Sequence, residues 1–420
     1  MERNITKEIW TPQMKDFIQE HINDDVSSLL LAAKRFQGID VPFASEQIEA
    51  RRRLKDKLPE WYSDADIIMS GRVPAEQCSS EQTARFKRNI ITGRSLCDLT
   101  GGMGVDFWYM SQGMERAIYT ERNAALCEAA EHNMASLASR LSQGGASAAC
   151  CGHTAAATAY EFRCGDGRDL PLPDVDVIYL DPARRAVDGS RVYAIEDCEP
   201  NVIAWQDELL AHACSLVVKL SPMVDISDML RKLKRVTDIY VIGVRNECKE
   251  ILVKAQGKDC ESEAADSSVQ MHCVDFMPHT VICFDCAFPD AAPVRISHCG
   301  VHRYLYEPDV TIMKSQAFGS LCERYGVSQL DYETHLMTAD ILIENFPGRR
   351  FEVLERIPNA SRTLKQLRRS IPKANIATRN FILTADQLRS RTGIKDGGDV
   401  YLFGAKVREQ GDVLIKCRKA

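Results

Sequence analysis

The chain has 420 residues, 45% of them hydrophobic and 27% charged, and a formal net charge of -6. That length exceeds one ordinary core and predicts two to four domains, while the composition excludes a disordered or fibrous chain. No run of about 18 uncharged apolar residues occurs, and the start, Met1-Glu2-Arg3-Asn4, lacks a basic-then-apolar leader. Neither a membrane span nor export is indicated, and the cytoplasm is the expected compartment.

The charge is unevenly spread. From Arg349 to Arg379 nine basic residues face two acids, so this segment carries seven net positive charges and the remainder thirteen negative ones. A polyanion is the partner such a segment suits. Most of the sixteen cysteines stand in apolar runs (Cys97, Cys164, Cys214, Cys283), as buried free thiols do in a reducing compartment. The one C-x-x-C, Cys283-Phe-Asp-Cys286, lies in a strand-like alternation without a second pair at ligand spacing, so no metal is expected.

In chain order, Thr11-Pro12 offers a cap and a first-turn proline. Met14, Phe17, Ile18, Ile22, Val26, Leu29, Leu30 and Ala33 then keep a helical period over some two dozen residues. A second helix is expected from Ser45 to Lys57, capped by Ser45 and carrying Arg51-Arg52-Arg53 on a solvated face; a third opens at Ser79 to Phe86 and ends by Gly93. From residue 95 strand and helix alternate. Strands are expected at Leu96–Leu99, Ala117–Thr120, Tyr160–Cys164, Val175–Leu180, Leu216–Leu220 and Ile239–Val244, with helices at Val105–Gln112, Ala124–Ser139 and Ile226–Val236. Gln143 to Thr158, rich in Ala, Gly and Ser, reads as a flexible insertion, and Glu250 to Lys254 as the returning strand of a hairpin. His279–Asp285, Arg303–Tyr306 and a helix from Pro308 to Tyr325 predict a small βα layer. Phe351–Ile357, Ser361–Ser370, Ala374–Phe381, Thr384–Thr392 and the hairpin Val400–Val407, Asp412–Cys417 predict a compact α+β module. Leu364, Leu367 and Ile371 share one face of its first helix and leave Arg362, Lys365 and Arg369 on another.

The densest signal is Leu96-Cys97-Asp98-Leu99-Thr100-Gly101-Gly102-Met103-Gly104, an apolar strand ending in an acid and followed by a glycine-rich turn, with Glu121 ending the next strand. Such glycines admit a nucleotide-like ligand to the backbone at the carboxyl ends of the strands. A nicotinamide site needs Gly-x-Gly-x-x-Gly, and counting from Gly102 the third position is Phe107. Read alone, Asp98 and Glu121 could also be strand-end caps.

Taken together, Asp98-x-Thr100-Gly101-Gly102-x-Gly104, Glu121, Gly165-Asp166 and Asp181-Pro182-x-Arg184 resemble a class I S-adenosylmethionine-dependent methyltransferase, over roughly residues 80 to 256. Tyr304-Leu-Tyr-Glu-Pro-Asp309, Phe346-Pro-Gly-Arg-Arg350 and Asp396-Gly-Gly-Asp399 extend the likeness over nearly the whole chain, to a bacterial family of methyltransferases with a THUMP-like C-terminal domain. The implied fold is α/β: a Rossmann-like methyltransferase sheet of parallel strands plus a closing antiparallel strand. A helical N-terminal region and a small α+β, ferredoxin-like and THUMP-like C-terminal part complete it. The expected division is 1–88, 89–275, 276–345 and 346–420.

The implied cofactor is S-adenosylmethionine, with Asp98, Thr100, Gly101, Gly102, Gly104, Glu121, Arg122, Asp166 and Gly167 as its binding residues. Helix-start N–H groups suit its carboxylate, Asp98 its ammonium, Glu121 the ribose hydroxyls and Asp166 the adenine amino group. Asp181, Pro182 and Arg184 are the candidate catalytic residues. In related Asp-Pro-Pro-Tyr and Asn-Pro-Pro-Tyr enzymes the acid and the proline carbonyl hold an exocyclic amine, which favours an amino-group target. Ala183 and Arg184 depart from that pattern, and Arg184 with Arg185 either grips a phosphate or faces solvent. Ser221-Pro222-Met223 puts no thiol where pyrimidine C5-methylating enzymes keep one.

THUMP domains bind RNA, so the resemblance implies an RNA partner, with Arg349, Arg350, Arg362, Lys365 and Arg369 as candidate contacts; a solvated basic face is the other reading. The expected function is methylation of a base nitrogen in structured RNA, tRNA or rRNA. A protein or small-molecule methyltransferase, and a non-catalytic RNA-binding protein on the same fold, are the alternatives.

Overall fold

A computed structural model of the chain describes residues 8–69, 71, 75, 77–143, 158–183, 195–257 and 268–420. The chain divides into two compact units, residues 1–236 with 253–262, and residues 237–252 with 263–420.

The first unit opens with short helices rather than one long one. Helix α1 (Pro12–Glu20) is capped by Thr11, and α2 (Val26–Leu31) by Asp25, whose carboxylate accepts the Ser28 N–H at 2.8 Å. That cap explains why the apolar period does not continue as a single helix: Asp25 satisfies the first turn of a new one. Helix α3 (Val41–Leu54) starts at Asp40, not Ser45; the Asp40 carboxylate takes the Phe43 N–H at 3.1 Å, and Ser45 is buried inside the helix. The basic run on α3 is solvated only in part: Arg52 and Arg53 are exposed, as expected, but Arg51 is not. Arg51 is 3% exposed and donates to the carbonyls of Tyr62, Asp64, Ala65 and Ile67, while Arg52 bonds the carbonyls of Ile22 and Asp24. Helices α4 (Pro59–Ser63) and α5 (Glu81–Ile90) follow, the latter capped by Ser80.

Strands β1 (Ser95–Asp98), β2 (Arg116–Glu121), β3 (Ala159–Cys164), β4 (Val175–Leu180) and β5 (Ala213–Leu220) are parallel, in the order β3-β2-β1-β4-β5. Their crossovers are α6 (Val105–Ser111), α7 (Ala124–Gln143) and α8 (Val202–His212), with α9 (Ile226–Lys232) after β5. The strands' fully buried Leu96, Cys97, Ile118, Tyr119, Ile178 and Val217 form the sheet's core, as a parallel sheet covered on both faces requires. Sequence reading missed α8, although Asn201 caps it through the Ala204 N–H. It also ran α9 four residues too far: Leu233 is already extended, and Arg235 turns the chain at φ +56°. Residues 144–157 of the expected insertion lie outside the described residues.

Strand β6 (Val236–Val244) turns into β7 (Cys248–Gln256) through Arg245 and Asn246, both left-handed at φ +55° and +61°. In the first unit the last residues of β7 run beside β5, and the Gly257 N–H donates to the Cys214 carbonyl at 2.8 Å. The expected returning strand is thus present. In the second unit β6 is parallel to β8 (Val269–Phe276), which is antiparallel to β9 (Val281–Phe288); β8 was not expected from the sequence. Successive side chains of a strand alternate faces, so Cys283 and Cys286, three apart on β9, point oppositely and cannot chelate together.

The rest of the second unit is one seven-stranded sheet in the order β11-β12-β10-β13-β16-β15-β14: β10 (Tyr304–Pro308), β11 (Ser328–Gln329), β12 (Met337–Ala339), β13 (Gly348–Pro358), β14 (Asn375–Arg379), β15 (Val400–Val407) and β16 (Gly411–Lys419). The helix expected over Pro308–Tyr325 breaks at Gln316 (φ +58°) into α10 (Val310–Ser315) and α11 (Phe318–Tyr325). Helix α12 (Ser361–Ser370) buries Leu364 and Leu367, with Ile371 just beyond its end, against α13 (Ala385–Thr392) and the sheet. Thr384 and Gln387 form the reciprocal capping box of α13. Among the described residues no helix is long and apolar enough to cross a membrane, and no three metal-type ligands cluster.

Candidate active site

The carboxyl ends of β1, β2 and β4 converge on the turn after β1. Leu99 N–H donates to the Tyr179 carbonyl (3.1 Å), Gly101 N–H to the Thr120 carbonyl (2.9 Å), and Gly104 N–H to the Gly101 carbonyl (2.8 Å), so the turn is pinned to both neighbouring strands. Each glycine has its own reason. A Cβ on Gly101 would overlap the Tyr119 ring, whereas one on Gly102, at φ +55°, would meet only the Thr100 carbonyl, at an ordinary contact distance of 3.8 Å. Gly101 therefore serves packing, and Gly102 supplies the left-handed backbone of the turn without crowding the space above it.

Glu121 ties that turn from β2: its carboxylate accepts the Gly102 N–H at 2.9 Å and the Asn123 N–H at 2.8 Å. Asp98 lies beneath it, 1% exposed, accepting the Thr100 N–H at 2.9 Å and meeting no cation among the described residues. Burial pushes its pKa up to about 8, aided by the negative charges of Asp106 and Asp181 and opposed by the Thr100 N–H. Thr100 also links β1 to β4, because its hydroxyl accepts the Asp181 N–H at 2.6 Å.

The rim is charged. Asp166, after β3, is held by Arg168 through both oxygens, at 2.9 and 2.6 Å, which draws its pKa down to about 2. Arg168 and Arg122 both reach Glu199, at 3.0 and 3.5 Å, and Glu199 pairs its backbone with Ala183. A cofactor amino group would therefore share Asp166 with Arg168. A Cβ on Gly167 would press on Leu99 at 3.3 Å, so that glycine admits the strand-one turn. Arg184 and Arg185 lie outside the described residues.

Behind Asp181 is a feature that sequence reading missed. Lys219, on β5, donates to Asp181 Oδ2 at 2.5 Å and reaches Asp106 Oδ2 at 3.5 Å; Lys87, on α5, donates to Asp106 Oδ1 at 2.9 Å and to Ser79 Oγ at 2.8 Å. Ser79 and Tyr179 hydroxyls donate to Asp106 Oδ2, each at 2.8 Å. Burial alone would raise the Asp106 carboxyl, but the two ammonium groups and these donors hold it well below the usual range. The available signal was a lone lysine in the apolar run Val217-Val218-Lys219-Leu220.

Of the basic residues singled out on the C-terminal segment, Arg362 and Arg369 are exposed on α12, next to exposed Arg368; the Lys365 side chain lies outside the described residues. Arg349 and Arg350 are on β13 instead. Arg349, with Arg379, is paired to buried Glu307, and Arg350 donates to the Glu344 carbonyl.

The donor set fits S-adenosylmethionine: an open cradle at Gly102, a backbone-fixed carboxylate for vicinal hydroxyls at Glu121, and a buried, cation-free carboxyl at Asp98 for an ammonium. The comparisons point to the same cofactor. Residues 304–347 match a ferredoxin-like domain family and residues 348–419 a THUMP domain-like family. Two proteins of Mycobacterium tuberculosis, strains CDC 1551 / Oshkosh and H37Rv, both named S-adenosylmethionine-dependent methyltransferases, are each 23% identical over 85% of this chain and 90% of their own length. A crystal structure assigned as a methyltransferase of Porphyromonas gingivalis W83 is 32% identical, covers 97% of this chain and 98% of its own, and superposes with a TM-score of 0.84. The fold is that of a methyltransferase, and the cofactor is S-adenosylmethionine. Within that class, the chain belongs to the family of the P. gingivalis protein, and its own C-terminal third matches the ferredoxin-like and THUMP-like families.

Proposed function

We propose that the protein methylates a base nitrogen of structured RNA, tRNA or rRNA, in the cytoplasm. The carrying observation is the exposed cationic face of α12, with Arg362, Arg368 and Arg369, in a module of THUMP-like family. Phosphate neutralisation by such a face supplies sequence-independent affinity for a nucleic acid.

In this reading Glu121 orients the cofactor ribose, Asp98 its ammonium and the turn's N–H groups its carboxylate. The cofactor supplies an electrophilic methyl group on a sulfonium. The protein's task is then alignment: Asp181 Oδ1 and the Pro182 carbonyl accept hydrogens of the target amine, so that its lone pair faces the methyl group. With the cofactor bound, the amine nitrogen would take the methyl group from the sulfonium, the S–CH3 bond pair would remain on sulfur, and Asp181 or water would take the amine proton. No thiol nucleophile is required.

Nucleosides from a deletion strain and its parent, compared by mass spectrometry, should differ by the loss of one methylated base. Identical nucleoside profiles would remove the RNA assignment. Calorimetry with S-adenosylmethionine should show binding to the wild-type chain and at least about tenfold weaker binding to Glu121→Ala, which deletes both ribose acceptors.

A further inference from the structure

We propose that Lys219 is a positioning residue for the methyl transfer: its ammonium holds one oxygen of Asp181, and the buried Lys87–Asp106 pair in turn holds Lys219. The inference rests on the reading of Asp181 as the group that faces the methyl acceptor.

Four charges alternate in sign from α5 to the open end of the sheet: Lys87, Asp106, Lys219 and Asp181. Their side chains are 0%, 10%, 10% and 35% exposed, so the ladder starts in the core and only its last member reaches the surface. Register explains the meeting of the last two. Leu180 of β4 pairs with Val218 of β5, which brings the next residues, Asp181 and Lys219, side by side at the carboxyl ends of adjacent parallel strands. Ligands of such sheets bind at those ends.

Stability does not demand this arrangement. A buried ion pair gains little over well-packed apolar residues of the same volume, because desolvation offsets most of the attraction. Two lysines and one aspartate at this depth therefore ask for another reason, and the geometry supplies one. Among the described residues Lys219 is the only partner of the Asp181 side chain, and it takes Oδ2. Oδ1 remains as the one acceptor, with its direction fixed from two sides, by Lys219 at the carboxylate and by Thr100 at the Asp181 N–H. An acceptor with a single fixed oxygen selects one N–H direction on the target and hence one lone-pair direction. Asp106 receives Lys87, Ser79, Tyr179 and Lys219, and this saturation keeps the Lys219 ammonium from swinging away from Asp181.

The test needs no methyl acceptor, so it is independent of the RNA assignment. S-adenosylhomocysteine carries no charge at the transferring position, whereas sinefungin puts an amine there; calorimetry gives the affinity of each. Lys219→Met leaves the Asp181 carboxylate without its cation and should raise the preference for sinefungin over S-adenosylhomocysteine by about tenfold, while Asp181→Asn should lower it by a similar factor. Lys219→Arg, which keeps the charge, should stay near the wild-type ratio. A merely structural lysine would weaken both ligands equally and leave the ratio unchanged, which would overturn the proposal. If Lys219→Met does not fold, Asp181→Asn decides: an unchanged ratio there means that Asp181 does not face the transferring position. Failure of the wild-type chain to bind S-adenosylhomocysteine would instead overturn the cofactor reading beneath it.

Discussion

Asp98 and Asp106 are buried carboxyl groups eight residues apart, and their surroundings drive them in opposite directions. Asp106 has two lysines; Asp98 has none, and its pKa is raised to about 8. A carboxyl raised in the folded state binds more protons there than in the unfolded chain, so Asp98 lowers stability progressively as pH rises from about 4 to about 8. An arriving ammonium reverses the cause and favours the ionised form. At pH 7, cofactor binding should therefore release a proton, seen as a dependence of the calorimetric heat on the ionisation enthalpy of the buffer. Asp98→Asn should bind more weakly and show no such release. Arg51 gives a second prediction at this scale. Its guanidinium ties a loop together through four carbonyls, so Arg51→Met should cost about 2–4 kcal/mol in urea unfolding, mostly from the orphaned acceptors. Arg51 had no sequence signal, and Lys219 had only its place as a lone lysine in an apolar run. A buried cation differs from a solvated one only by partners that the chain brings from elsewhere, and Lys219 meets Asp106 across 113 residues.

Elements whose signal is local were legible. The apolar run of β4, the capping box of α13 and the amphipathic face of α12 appear where their residues place them, since each depends on neighbours a few positions away. Strand β8 was not, because its pattern is completed by β6 and β9 on either side. His272 shows that dependence. From β8 it bonds Asp238 of β6 at 3.2 Å and Asp285 of β9 at 2.8 Å, and stacks on Tyr240 at 4.5 Å. These bonds, Asp238 first, raise its pKa above 6.5 despite burial. The added stability is full below the unfolded pKa, about 6.5, and is lost as pH rises through the higher folded value. His272→Gln should accordingly lower the melting temperature at pH 6 and matter much less at pH 9. A second hydrogen-bond chain, Asp340–His302–Ser297, has the residue types of a hydrolytic triad, but Ser297 is 3% exposed and its hydroxyl donates to the Gly300 carbonyl at 2.5 Å. It ties a loop.

At the scale of the molecule, the charge asymmetry read from composition becomes more selective. Arg349 and Arg379 neutralise Glu307, which leaves the α12 face as the clearer candidate for a polyanion. The double variant Arg362→Glu, Arg369→Glu should reduce the slope of log affinity for tRNA against log salt by about 1.5 while sparing cofactor binding. An unaltered slope would return that face to solvent.

The same scale gives the longest-reaching consequence of the second unit's sheet. The ferredoxin-like segment ends at residue 347 and the THUMP-like one begins at 348, yet β13, which starts there, pairs with β10 of the first and β16 of the second. In this chain the two segments are thus halves of a single hydrogen-bonded fabric. Lineages that lengthen, lose or exchange one half must supply a matching selvedge for the other, or leave a long row of open amides to find a partner of its own.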